Sequence, residues 1–270
     1  MERVKPFLKW AGGKYRCMHH VLHALPKAER LIEPFTGSGA VFLNAPHTDY
    51  LLGEVNADLV SLYEHVKDQG QVFIDDCERL FCDKNNQEKQ YYQFRVEFNQ
   101  TPLNTQRRAA LFLYLNRHGY NGLCRYNLAG GYNVPFGRYK KPYFPRKELV
   151  FFHQKSQNTH FLQADFRQTF LYSKPGDIIY CDPPYVPLSK TSQFTAYTRQ
   201  KFGETEQIAL TDLAMQTAKN GIPVIISNHD TPFTRELYHT ATITSFPVRR
   251  NISCKGRERM SVRELIAVFT

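Results

Sequence analysis

No apolar run in the 270 residues approaches the ~20 needed to cross a bilayer, so no membrane span is expected. The opening Met1-Glu2-Arg3-Val4-Lys5-Pro6 has no apolar h-region behind it, and no signal peptide is expected either. The six cysteines (Cys17, Cys77, Cys82, Cys124, Cys181, Cys254) form no C-x-x-C pair. They read as reduced thiols of a cytoplasmic protein, not as a zinc site or a disulfide framework. None of the ten histidines lies in H-E-x-x-H, so no catalytic metal is expected. Ala11-Gly12-Gly13-Lys14 lacks the G-x-x-x-x-G-K-[ST] spacing, and Tyr15 stands where a hydroxyl should follow; that excludes a nucleotide phosphate loop. Internal repeats and low-complexity tracts are absent.

The most telling absence is of acid. Between Glu97 and Glu148 there is no Asp or Glu. The same stretch holds Arg107, Arg108, Arg117, Arg125, Arg138, Lys140, Lys141, Arg146 and Lys147, which is nearly the whole net charge of +10. A one-signed field of this kind attracts a polyanion, nucleic acid first. The alternative is a solvated face whose acids lie elsewhere in space.

What is present alternates. Residues 30–33 read as a strand running into the turn Pro34-Phe35-Thr36-Gly37-Ser38-Gly39, then a short helix over 40–44 and a strand over 50–55. Asn56 or Asp58 caps the next helix, with Leu59, Leu62, Tyr63 and Val66 on one face. Helical patterns follow over 87–98 and 105–118, then an aromatic, glycine-rich, basic loop over 119–145, unusually long for a compact domain. Strands over 159–164, 177–181 and 222–227, a helix over 204–219, another opening at Thr231-Pro232, and strands near 243–248 and 264–269 complete the chain. The fold class is α/β, with a basic, mainly helical insertion dividing the core.

Two places carry chemistry. Phe35, Gly37 and Gly39 belong to a glycine turn that lets a nucleoside-bearing ligand approach the backbone, although Phe42 stands where a third glycine of G-x-G-x-x-G would fall. Glu54, ending the second strand, is placed to accept from ribose hydroxyls, or is simply a surface glutamate. Asp182-Pro183-Pro184-Tyr185 follows the buried run Asp177-Ile178-Ile179-Tyr180-Cys181. Both Asp182 and Pro183 precede a proline, and each ring fixes its own φ, so the tetrapeptide is stiff and extended. It presents one acid, bare carbonyls and an aromatic face at a strand's carboxyl end, where open α/β sheets bind ligands. The plain alternative is a proline-rich turn.

Phe7-Leu8-Lys9-Trp10-Ala11-Gly12-Gly13-Lys14, the 34–39 turn and the 182–185 motif, in that order, resemble the Dam-type DNA adenine-N6 methyltransferases of the alpha class. So do the stretches 117–127 and 133–145, Ser227-Asn228-His229-Asp230 and Val248-Arg249-Arg250. The resemblance covers essentially the whole chain. It implies the S-adenosylmethionine-dependent methyltransferase fold, a Rossmann-like mixed seven-stranded sheet, with a catalytic domain over 1–57 plus 146–270 and an inserted target-recognition domain over 58–145. It implies S-adenosylmethionine as methyl donor, no metal, duplex DNA containing GATC as substrate, a monomer, and a cytoplasmic, nucleoid-associated place. The implied catalytic residues are Asp182, Pro183, Pro184 and Tyr185. Trp10, Lys14, Phe35, Gly37, Gly39, Glu54, Asp165, Phe166 and Asp182 are the implied cofactor contacts, although the family usually has Asp where Glu54 stands. Lys9, Tyr120, Asn121, Leu123, Arg125, Pro135 and Arg138 map onto DNA-contacting positions.

Within that resemblance, Lys9 and Arg125 are candidates for guanine edges, with phosphate contact as the rival. Arg138, Lys140, Lys141 and the 249–259 segment suit phosphates. Tyr120 either fills the space left by an extruded base or packs as an ordinary loop aromatic. Two rival functions remain at this level. One is a DNA-binding module without chemistry, which leaves the 182–185 motif unexplained. The other is the same fold acting on cytosine N4, RNA adenine or a protein amide.

Overall fold

The computed structural model describes residues 3–186, 202–248 and 262–270. Seven strands form one sheet: β1 (Arg30–Glu33), β2 (Asp49–Glu54), β3 (Thr159–Gln163), β4 (Asp177–Cys181), β5 (Val224–His229), β6 (Thr242–Val248) and β7 (Val262–Phe269), in the order β3-β2-β1-β4-β5-β7-β6. The first five run parallel, while β7 is antiparallel to both β5 and β6. The expected mixed seven-stranded α/β sheet is therefore present. Around it lie α1 (Met18–Ala24), α2 (Ala40–Asn44), α3 (Ala57–Gln69), α4 (Gln71–Glu78), α5 (Glu88–Gln100), α6 (Gln106–His118), α7 (Arg146–Lys155), α8 (Phe166–Phe170), α9 (Glu204–Lys219) and α10 (Pro232–Leu237).

The period-two alternation of strand side chains divides the core between two faces. Leu31, Tyr50, Leu52, Ile178, Tyr180, Ile225 and Ile266 enter one apolar cluster with α1, α2, α3 and α7. Ile32, Leu51, Ile179, Cys181, Val224, Ile226 and Leu265 enter the other, with α8, α9 and the end of α10. Every residue of β4 and β5 is buried, as central parallel strands covered on both faces require.

The first face extends into the insertion. Asn56 caps α3, its side chain accepting from the Asp58 and Leu59 amides. On one side of α3 the Tyr63 ring packs at 4.8 Å from Phe152 and 5.5 Å from Phe161. Asp58 instead pairs with Arg108 of α6, 2.6 Å away. A single apolar cluster thus runs from the sheet through α3 to α4, α5 and α6. After α6 the chain folds back on itself: Gly119 bridges Phe136, Tyr126 bridges Tyr132, and the Tyr120 amide donates to the Pro135 carbonyl at 2.8 Å.

Strand order also locates the crevice. From β1 the chain builds outward to β2 and β3, then returns to place β4 and β5 on the other side. The carboxyl ends of β1 and β4 are therefore a topological switch point, where such sheets bind ligands.

Candidate active site

Asp182 leaves β4 at that switch point, and its tetrapeptide is clamped from the side by β5 and α9. Gln207 of α9, almost fully buried, donates Nε2 to the Pro184 carbonyl at 2.8 Å. The Val186 amide donates to Asn228 Oδ1 at 3.3 Å, and the Val186 carbonyl lies 2.7 Å from His229 Nδ1. Asn228 Nδ2 in turn donates to Gln207 Oε1 and to the Tyr238 hydroxyl, at 3.1 and 3.0 Å. Such a satisfied buried network holds backbone tightly, because each broken bond strands a polar group. Among the described residues nothing donates to the Pro183 carbonyl.

The acid itself is enclosed by charge and hydroxyls. Lys14 Nζ lies 2.7 Å from Asp182 Oδ1, donates to the Gly12 carbonyl at 2.7 Å, and stands 4.5 Å over the Tyr185 ring. Ser227 Oγ reaches the same Oδ1 at 3.0 Å. The Tyr185 hydroxyl donates to Glu264 at 3.3 Å, and its ring meets His229 edge-on. Burial pushes the Asp182 carboxyl above its ordinary range, opposed by the Lys14 charge and by the hydrogen bonds of Lys14 and Ser227. Beneath it, Glu33 at the end of β1 is pushed up to about 8 by burial and by the neighbouring Asp182 charge. An Asp182 carboxyl already engaged by Lys14 and Ser227 suits hydrogen bonding more than strong-base chemistry.

The glycine turn lies beside this corner. Gly37 has φ 49°, and a Cβ there would meet the Trp10 indole at 3.1 Å, so backbone and ring already touch. Glu54 accepts the Gly37 amide on one oxygen and the Asn56 amide on the other, at 3.1 and 3.0 Å, which fixes the carboxylate and leaves further lone pairs to accept. Phe35 stacks on Phe166 at 5.5 Å, and Phe202 closes edge-on against both. Asp165 caps α8 and pairs with Arg167. The strand ends therefore gather two carboxylates, an aromatic slot and an ammonium, the complement of a ligand with hydroxyls, a flat base and an anionic end.

The insertion gathers most of the remaining predicted residues. Lys9 is anchored by both Asn116 bonds to its backbone, and its Nζ lies 3.8 Å over the Tyr139 ring. Burial and the Arg117 charge lower Lys9 to about 8. Tyr120 and Asn121 are exposed in the fold-back beside Pro135, and Asn121 takes the left-handed backbone at φ 53° with its amide bonded to Tyr139. Leu123 is half-buried, its carbonyl taken by Tyr132. Arg125 is exposed, with its guanidinium bonded to Asn133 at 2.7 Å. Arg138 is exposed and also left-handed at φ 53°, a conformation that costs energy outside glycine and clusters where loops hold ligands.

The charge field is weaker than its sequence suggests. Arg107 pairs with Glu97, Arg108 with Asp58, and Arg146 with Asp75 and Glu78, while Arg138 lies 3.8 Å from Glu88. The acids missing along the stretch are partly supplied in space. Among the described residues Arg117, Arg125, Lys140, Lys141 and Lys147 have no such partner. Arg249 and Arg250 and the whole 249–259 segment lie outside the described residues.

Gln207, Phe202, Tyr180 and Ser227 contribute to the site without having been assigned a role from sequence. Gln207 shares a helical face with Leu210, Thr211 and Ala214, and a polar residue on an apolar face was the available signal.

Residues 10–252 match the family described as D12 class N6 adenine-specific DNA methyltransferase. A Salmonella typhi protein described as DNA adenine methylase is 49% identical over 271 residues, covering 100% of this chain and 96% of its own. The Escherichia coli K12 protein of the same description is 48% identical with the same coverage. One from Vibrio cholerae El Tor is 47% identical, covering 100% of this chain and 98% of its own.

Proposed function

The chain belongs to the D12 class N6 adenine-specific DNA methyltransferases, and from that premise we propose that it methylates adenine N6 within duplex GATC, after base extrusion, using S-adenosylmethionine. That it is a DNA adenine methyltransferase follows from the family; the site sequence, the extrusion, the donor and the residue roles are our reading. So are the division into a 1–57 plus 146–270 catalytic part and a 58–145 recognition part, and action as a monomer in the cytoplasm.

The single observation that carries the chemistry is the clamped corner at the switch point: Asp182, the Pro183 carbonyl and the Tyr185 ring, with the backbone bonds beyond them already spent on Gln207, Asn228 and His229. The adenine amine is a poor nucleophile because its lone pair is delocalised into the ring. Asp182 and the Pro183 carbonyl each accept one N–H, which favours a pyramidal nitrogen and frees the lone pair. The gain comes from positioning and electrostatics. Tyr185 stacks on the base. A stacked duplex cannot present that amine, so the adenine must be flipped out at a cost of a few kcal/mol. Tyr120, exposed in the fold-back, fills the gap left behind. The methylated nitrogen sheds its proton readily, so Asp182 need not be a strong base.

The residues present fit the donor. When bound, S-adenosylmethionine supplies a methyl group on positive sulfur. Glu54 would accept from its ribose, Phe35 and Phe166 would flank its adenine with Asp165 nearby, and Gly37 and Gly39 would let it approach the backbone beside Trp10. Lys14 is the cation available to its carboxylate. Engaging that carboxylate would draw Lys14 off Asp182 and the Tyr185 ring, which it covers in this structure.

Arg125 and Lys9 face guanine edges, each with a discrimination of ~1–3 kcal/mol. Arg138, Lys140 and Lys141 meet phosphates. The test combines two measurements. Mapping methylated positions in treated DNA should return adenine in GATC. Asp182→Ala should retain DNA and donor binding better than it retains turnover, and turnover equal to the parent's refutes the assignment.

A further inference from the structure

Tyr180 and Ser227 stand directly behind the catalytic acid, on neighbouring strands, each about 1% exposed. The Tyr180 hydroxyl donates to Ser227 Oγ at 3.0 Å. Ser227 has one proton and three oxygens to receive it: Asp182 Oδ1 at 3.0 Å, the Cys181 carbonyl at 3.3 Å and the Tyr185 hydroxyl. The charged acceptor takes it, since charge-assisted bonds are about twice as strong as neutral ones. Because Ser227 already accepts from Tyr180, its proton is directed onward. Lys14 meets that same Oδ1, so both donors lie on one oxygen of the carboxylate.

We propose that Tyr180 and Ser227 form a buried hydroxyl relay that positions Asp182 for methyl transfer, holding Oδ1 from behind so that Oδ2 is turned to the target amine. The proposal rests on the reading of Asp182 as the amine's acceptor. It gives the relay a task that Lys14 cannot perform, because Lys14 is at the ligand side and is wanted by the donor, whereas no ligand can displace a hydroxyl buried between β4 and β5. The relay also sustains the anion in a place that disfavours charge. Asp182 is faced by Lys14 and Cys17 from the N-terminal segment, Glu33 from β1, Tyr180 and Cys181 from β4, and Tyr185 from its own corner, with Glu264 of β7 behind Tyr185. Burial raises Asp182 and the Ser227 bond opposes it. Losing that bond raises it further, so the fraction ionised falls at a given pH.

Single-turnover methylation of a GATC duplex against pH tests this, with donor affinity read separately from the fluorescence of Trp10, the one tryptophan of the chain, and DNA affinity by titration. Ser227→Ala should slow the step about 10- to 100-fold, as loss of one charge-assisted bond implies, with both affinities within about twofold of the parent's. The acid limb of its rate profile should move to higher pH. Ser227→Thr, which keeps the hydroxyl, should restore the rate to within a few-fold, and Tyr180→Phe should shift the limb in the same direction by less. An unmoved acid limb in Tyr180→Phe and Ser227→Ala overturns the relay, as does a slow Ser227→Thr with parental folding. Should Ser227→Ala fail to fold, Tyr180→Phe decides alone. If Asp182→Ala is inactive while both relay variants match the parent, only the relay fails. If Asp182→Ala turns over normally, the reading of the site fails with it.

Discussion

Replacing Arg108 by methionine separates a structural charge from a DNA-binding one. Arg108 lies in the acid-free stretch and, counted along the chain, belongs to the basic field. In space it donates to both oxygens of Asp58, at 2.6 and 3.3 Å, and to the Phe98 and Thr101 carbonyls, each at 2.6 Å. Side-chain exposure is 12% for the arginine and 6% for the aspartate. The guanidinium also stacks 4.1 Å over Phe98. Methionine keeps much of the apolar stem but leaves a buried carboxylate with Tyr126 as its remaining side-chain donor, together with two carbonyls deprived of a partner. Breaking a buried pair from one side costs about 3–5 kcal/mol. For a chain of this size each kcal/mol moves the melting temperature by roughly 2–4 °C, so a fall of about 10 °C is expected. Arg107→Met, whose partner Glu97 is exposed, should cost under about 1 kcal/mol. Adding Asp58→Asn to Arg108→Met should return part of the loss, because the stranded charge is gone. Thermal unfolding beside DNA titration at several salt concentrations gives the answer. If Arg108→Met melts like the parent while the salt slope of DNA binding drops by about one contact, the arginine serves phosphate and the account of the insertion is wrong.

Three other outcomes follow from the same geometry. Lys9 is lowered to about 8 in the free protein, so its charge is lost as pH rises through that value; DNA affinity should weaken between pH 7 and 9, DNA binding should take up a proton near pH 8, and Lys9→Met should flatten the dependence. Gly122→Ala places a Cβ 2.2 Å from Lys9 Cβ at φ 62°. Gly122 is itself buried, so this should lower the melting temperature as well as DNA affinity or base discrimination, the latter about tenfold or more, and unaltered DNA binding would show that Lys9 is not held by that turn. Lys14→Met removes both the cation and the cover of Asp182: donor affinity, followed by Trp10 fluorescence, should fall about tenfold, while a 2-aminopurine at the target position should show extrusion at lower donor concentrations than in the parent.

Much of this protein was legible along the chain. The apolar runs that became β1, β4 and β7 and the long helix α9 need no partner to be seen, because a fully buried strand or a one-sided helix writes its period into the residues. The 182–185 corner was equally plain, since two prolines dictate backbone shape wherever they occur. The strand at 224–229 was placed two residues early, and for a reason: Ser227, Asn228 and His229 are polar yet buried, being spent on Asp182, on the Val186 amide and on the Val186 carbonyl. Helices α1, α4, α7 and α8 were not anticipated. Phe152 of α7 becomes a core residue only because Phe7, Phe42 and Tyr63 arrive from distant parts of the chain.

By itself, then, the order of residues determined the α/β class, the glycine turn, the proline-held acid and the family resemblance, all of which depend on near neighbours or on backbone stereochemistry. Only tertiary structure decided which arginines are spent on internal acids, that Lys14 and Ser227 share one oxygen of Asp182, and that Gln207 reaches across from α9 to the Pro184 carbonyl. Charge pairing and side-chain hydrogen bonding act over a few ångströms in space. Separations of 23, 45 and 50 residues along the chain, and far more between Lys14 and Asp182, carry no mark of them.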